Sequence, residues 1–126
     1  VVALEPQRKN IARIKALIRE RGYPARMIAE YLGIHESRLS RYLRGENLTS
    51  RRLGAAAISE RLGELEGPLG EELLRRWVRA RAAKRFIRYT DTFTLEEILA
   101  HVEKSLEDEV QAYRRAVQTR AKRLGF

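Results

Sequence analysis

Three glycines, Gly22, Gly33 and Gly45, cut the first third of the chain into helical pieces too short to stand alone. A glycine just past a run of helical periodicity takes the left-handed conformation that ends a helix at little steric cost. The pieces between them carry apolar residues at helical spacing. Ile11, Ile14, Leu17 and Ile18 make one face of a first helix, which Gly22 ends. Pro24 opens a second, short helix with Ile28 and Leu32 facing inward, closed by Gly33. A third runs from about Glu36 to Arg44, with Leu39, Tyr42 and Leu43 for the core, and Gly45 stops it. Helices of two or three turns are marginal in isolation, so these pieces must be held by packing on one another.

The same periodicity continues downstream. Thr49 or Ser50 can cap a fourth helix whose buried stripe is Leu53, Ala57 and Ile58 or Leu62. Gly63 to Gly70, with Gly67-Pro68 inside, reads as a break between units. A fifth helix is expected from about Pro68 to Tyr89, and Thr94 with Glu97 forms a capping-box pattern ahead of a long helix to about Leu124. No alternating stretch is long enough for a convincing strand. The fold class is therefore all-α: a four-helix N-terminal unit over 1–66, then a helical region over 67–126 built from a basic helix and a long C-terminal helix.

The positive charge belongs to the first two-thirds of the chain. The 126 residues carry a formal charge of +9, which points to a polyanionic partner. Residues 1–66 hold 13 basic and 8 acidic side chains and residues 67–89 hold 7 and 2, so each segment is +5. Residues 90–126, with 6 and 7, are −1. There is no cysteine, which excludes disulfides, thiolate metal sites and cysteine nucleophiles. His35 and His101 are the only histidines and make no recognisable metal site. No phosphate-binding glycine-rich loop or HExxH helix is present, so neither an enzyme nor a cofactor is expected. No apolar run approaches the roughly 20 residues needed to cross a bilayer. A soluble cytoplasmic, nucleoid-associated protein is expected.

The informative stretch is Gly22 to Gly45, two short helices crossing steeply over a tight turn. Ala29 is small where they cross, Gly33 permits the turn, and Ile34 plugs the core from it. Glu36, Ser37, Arg38, Arg41 and Arg44 are then left outward, on a helix thin enough to enter a major groove. The pattern Ala-x-x-Leu-Gly-Ile-x-x-Ser-x-Leu-Ser-Arg-Tyr-Leu-x-Gly over residues 29–45 resembles the helix-turn-helix of the Cro and lambda-repressor-like (XRE-type) family. The resemblance runs from the Ile14 region to Leu62-Gly63. It implies a DNA-binding protein whose Glu36, Ser37, Arg38 and Arg41 reach base edges, and whose Arg44 and Asn47 contact phosphate or a neighbouring base. Arg26 and the amides opening the second helix would hold backbone phosphate. Two departures stand out. Pro24 and Ala25 occupy positions where the family usually has a Ser or Thr cap and a Gln, so one phosphate clamp is missing. His35 replaces the usual Ser or Thr cap of the third helix and is expected to be a partly exposed turn residue.

Residues 67–126 resemble no family. In the fifth helix, Leu73, Trp77, Ala80 and Ile87 form one apolar stripe and Leu74, Val78 and Ala82 another, a pattern expected of a sandwiched helix. Its flanking arginines, Arg81 and Arg85 among them, are either a second phosphate-contacting surface or a solvated face. In the long helix Leu95, Leu99, Val102, Leu106, Val110, Tyr113, Val117, Ala121 and Leu124 recur with an eleven-residue period, close to that of a straight helix. Its acidic first half and basic second half suit antiparallel pairing with a copy of itself. Homodimerisation through 67–126 is expected, with a compact intramolecular hairpin as the alternative. The sequence favours a repressor-like regulator on a palindromic operator. Its rivals are a DNA-targeting adaptor for partition, packaging or transposition, and an antitoxin-like module.

Overall fold

The computed structural model describes residues 4–46, 53–89 and 91–126. Six α-helices follow one another: α1 (Leu4–Arg21), α2 (Ala25–Leu32), α3 (Glu36–Leu43), α4 (Ala55–Glu66), α5 (Pro68–Phe86) and α6 (Leu95–Arg123), with a 3-10 turn at Ile87–Tyr89 after α5. No β-strand occurs among the described residues. Gly22, Gly33 and Gly45 all adopt positive φ, so the punctuation expected of them is what forms.

The N-terminal core is built as the periodicity requires. Ile14, Leu17 and Ile18 of α1, Met27, Ile28, Ala29 and Leu32 of α2, and Leu39 and Tyr42 of α3 are buried together with Ile58, Leu62 and Leu65 of α4. Ile34 packs on this cluster from the α2–α3 turn, where its N–H donates to the Ala29 carbonyl at 3.0 Å. Arg61 on α4 braces the same turn by donating to the Leu32 carbonyl at 2.7 Å.

The fourth helix departs from expectation. Thr49 and Ser50, the expected caps, lie outside the described residues, and α4 begins only at Ala55 behind an extended Gly54. Leu53 is buried but precedes the helix. Nor is the whole of Gly63–Gly70 a break: Gly63 lies inside α4, and the chain turns only at Gly67, which ends α4 and leads directly into Pro68 at the start of α5. Proline suits that first turn because its missing N–H would have had no partner there.

α5 and α6 form an antiparallel hairpin. Only one of the two stripes on α5 is buried: Leu74, Val78 and Ala82 face α6, while Leu73 and Trp77 pack partly and Ala80 and Ile87 are exposed. α6 is likewise covered along its middle but not at its ends. Val102, Leu106, Val110 and Ala121 are buried, whereas Leu95, Leu99 and Leu124 are exposed and Ile98 takes the buried position near the start. Its second half is covered by α1. Tyr113, Val117 and Ala121 join the same cluster as Ile14 and Leu17, so one hydrophobic core runs from α1 to α6. Thr94 and Glu97 close the expected capping box.

Opposite charges zip the hairpin. Arg75 bridges Glu107 at 3.0 Å, Arg79 pairs with Glu103, and Arg85 pairs with Glu109. Three acids from the first half of α6, Glu103, Glu107 and Glu109, which suit a second copy by sequence, are thus matched within their own chain.

Candidate nucleic-acid interface

α3 has two faces of different chemistry. Leu39 and Tyr42 are buried, while Glu36, Ser37, Arg38, Arg41 and Arg44 are all exposed. Glu36, Ser37, Arg38 and Arg41 share one helix of little over two turns with Arg44 as its C-cap, so their side chains leave from one short stretch on the side away from Leu39 and Tyr42. A carboxylate, a hydroxyl and three guanidinium groups on such a stretch offer both acceptors and bidentate donors. That is the set needed to read base edges in a major groove. Among the described residues Arg41 has only a long ion pair at 3.9 Å to Glu46, weak enough to yield to a stronger anion.

The helix is held at both ends. His35 is its N-cap, not simply a turn residue: Nδ1 accepts the Ser37 N–H at 3.1 Å and also lies 2.8 Å from Ser37 Oγ. An imidazole nitrogen thereby does the work usually given to a Ser or Thr oxygen. At the far end Arg44 is the C-cap, its N–H donating to the Arg41 carbonyl at 3.1 Å, while the Gly45 N–H donates to the Tyr42 carbonyl at 2.9 Å.

The loop beyond α3 is clamped by two residues that carry no motif. Gln7 and Asn10 are nearly fully buried on α1. Gln7 donates to the carbonyls of Gly45 at 3.2 Å and Glu46 at 3.0 Å, and Asn10 to that of Ala55 at 3.1 Å. The signal was present in the sequence. Gln7 and Asn10 continue the i, i+3, i+7 stripe of Ile14 and Leu17, and a polar side chain on a buried stripe must find partners. They fix both ends of the segment that includes Asn47, which itself lies outside the described residues.

α2 presents its N-terminus without a side-chain cap, since Pro24 offers none. The first amides of α2 keep their hydrogen-bonding capacity, and Arg26 beside them is exposed, in a loose 3.6 Å pair with Glu30. On α5, Arg85 is committed to Glu109 and Arg81 stacks over the Tyr113 ring at 5.1 Å. Both therefore face α6, unlike the arginines of α3.

The corner between α1 and α2 is locked to the C-terminal hairpin. Arg114 of α6 donates to the Arg21 carbonyl and to Glu71 of α5, at 2.6 Å for the shorter Glu71 contact, and Gln118 donates to the Glu20 carbonyl at 2.9 Å. The Tyr23 hydroxyl, on the residue before Pro24, donates to the same Glu71 at 3.3 Å. The hydrogen bond from Arg114 outweighs burial and holds the Glu71 carboxyl below its ordinary range, while burial raises the Tyr23 phenol. A matching bridge joins α1 to α4, where Arg13 holds Glu66 at 2.6 Å and depresses its carboxyl. The first helix of the pair is thus positioned by α5 and α6 as well as by α1.

Among the described residues no group of His, Asp or Glu is placed to hold a metal, and no helix is long and apolar enough to cross a membrane. The family model described as Helix-turn-helix matches residues 14–63, from the first core residue of α1 into α4. No curated protein and no solved structure matches this chain.

Proposed function

With residues 14–63 a helix-turn-helix of the DNA-binding Cro and lambda-repressor-like (XRE-type) family, we propose that the chain is a sequence-specific, repressor-like regulator of transcription that reads a palindromic operator as a homodimer. The observation that carries this reading is the exposed ridge of Glu36, Ser37, Arg38 and Arg41 over the buried Leu39 and Tyr42. In the major groove, Arg38 and Arg41 each donate two hydrogen bonds to a guanine, and Glu36 accepts from a cytosine amino group. Arg44, Asn47, Arg26 and the first amides of α2 hold phosphates and set the register.

Arg81 and Arg85 are the proposed accessory phosphate contacts. Arg85 must give up Glu109 to reach a phosphate, so it contributes less than an arginine of the helix-turn-helix. One helix-turn-helix spans too few base pairs for high specificity. Two copies reading half-sites about 34 Å apart, or a multiple of it, supply the rest.

Selection of bound sequences from random duplex DNA tests the proposal. Two inverted half-sites at a fixed spacing are expected; recovery of unrelated sequences would refute it. A second reading, a DNA-targeting adaptor or antitoxin-like module, draws on the exposed apolar residues at the far end of the α5–α6 hairpin.

A further inference from the structure

The main core stops short of the end of the hairpin. It reaches Val78 on α5 and Leu106 on α6; beyond them, among the described residues of the hairpin end, only Ala82, Ile98 and Val102 are buried. Past that satellite the apolar side chains lie open. Ile87 is 62% exposed, Phe93 50%, Leu95 60% and Leu99 43%. Beside them Phe86, Phe93, Glu97, Ile98 and His101 line a hollow of about 480 Å³, with the Phe86 and His101 rings edge to face at 5.3 Å. One end of one hairpin therefore carries both projecting apolar side chains and a recess able to take them.

The charges there are arranged in the same self-matching way. α5 ends with Lys84 and Arg85, with Arg88 in the 3-10 turn that follows, whereas the antiparallel α6 begins beside Asp91 with Glu96 and Glu97. Lys84, Asp91 and Glu96 are exposed and have no partner among the described residues. A two-fold axis through the hairpin end sets the basic end of α5 in one copy against the acidic start of α6 in the other. A surface that carries both halves of its own complement is what an isologous contact requires.

We infer that this end of the hairpin is the interface between two copies of the chain, Leu95 and Leu99 of each entering the Phe86–Phe93–Ile98 hollow of the other. The inference rests on the dimeric, operator-reading function proposed above and adds the location of the contact. Its size is adequate. Four side chains of on the order of 200 Å² each, about half exposed, offer on the order of 400 Å² of apolar surface per copy. A standard interface uses about 800 Å² per partner, somewhat over half of it non-polar. The rest of α6 is not available for the purpose, since α5 and α1 already cover it between Val102 and Ala121.

Sedimentation velocity on the full chain at micromolar concentration, with and without operator DNA, tests the inference. The variants are the double substitution Leu95→Asp and Leu99→Glu and the charge swap Lys84→Glu with Glu96→Lys. Both leucines are exposed and acidic residues suit the start of a helix, so the double variant keeps its fold, which circular dichroism and half-site affinity verify. The wild type is expected at twice the chain mass and the double leucine variant at the single mass. The variant should lose about a hundredfold in affinity for the full operator while its affinity for one half-site stays unchanged. Each single charge reversal should weaken the dimer several-fold, and the pair should restore it. A double leucine variant that remains a dimer overturns this interface while leaving the dimeric reading intact, as does a charge swap that restores nothing. A wild type that is monomeric both free and on DNA, or that associates only with a different protein, overturns both.

Discussion

Replacing Gly22 by Ala tests whether α6 packs on the corner of the helix-turn-helix. Gly22 has φ +66°, and a Cβ there overlaps Arg114 Cγ and lies 2.8 Å from the Arg114 carbonyl oxygen. Holding a non-glycine residue in the left-handed region costs about 1–2 kcal/mol. The overlap is with backbone of α6, which cannot swing aside as a side-chain tip does, and overpacking of that kind costs about 1–3 kcal/mol more. Gly22→Ala is therefore expected to destabilise the chain by about 3 kcal/mol, a fall in Tm of about 10 °C for a protein of this length. Gly33→Ala is the internal control: φ is +76°, but the nearest atom to an added Cβ is the tip of Arg61 at 3.8 Å, so only the backbone cost of about 1 kcal/mol applies. Thermal and urea unfolding of the two variants side by side supplies the measurement. Equal losses would refute the close approach of α6 to the α1–α2 corner. With it would fall the fixed orientation of the hairpin relative to α3.

Other outcomes follow from the same contacts. Arg41→Ala is expected to cost about 1–3 kcal/mol in binding to the selected operator and to relax preference at one base pair, while binding to random duplex changes little; titration against both DNAs reads this. Gln7→Ala leaves the Gly45 and Glu46 carbonyls without their donor and should cost about 1 kcal/mol of stability, with weaker half-site binding because the loop beyond α3 loses its clamp. The Glu71 carboxyl is depressed by Arg114, so its contribution to stability is full above the unfolded carboxyl range, near pH 4.3, and is lost as pH falls through the lower folded value. Urea midpoints of wild type and Glu71→Gln should therefore differ most near neutrality and converge in acid; a constant difference down to pH 2 would exclude this ion pair as the cause.

The helix-turn-helix was legible because its information is local. Gly22, Gly33 and Gly45 end helices through their own backbone freedom, and Leu39 and Tyr42 face inward by periodicity alone. Those two facts decide which side chains of α3 point outward. The capping box of Thr94 and Glu97 is equally local, and it formed. The clamp by Gln7 and Asn10 was written in the same stripe but needed its acceptors, far away in sequence, to be interpreted.

The C-terminal half was a matter of partners, and periodicity does not name them. Two apolar stripes on α5 left open which would be covered; one hairpin partner buries only one stripe, and Ala80 and Ile87 stayed outside. The acids of α6 suit a second copy or the arginines of α5 equally well by sequence. In the fold they lie beside Arg75, Arg79 and Arg85 of their own chain, where pairing costs no association entropy. α1 was the unforeseen cover for the second half of α6, brought there by the turn at Gly67 and held by Arg114. Sequence alone determined most of the helices and the outward face of α3. Tertiary structure decided which surfaces of α5 and α6 are consumed internally, because burial and charge pairing depend on what lies opposite. It thereby left one end of the hairpin open.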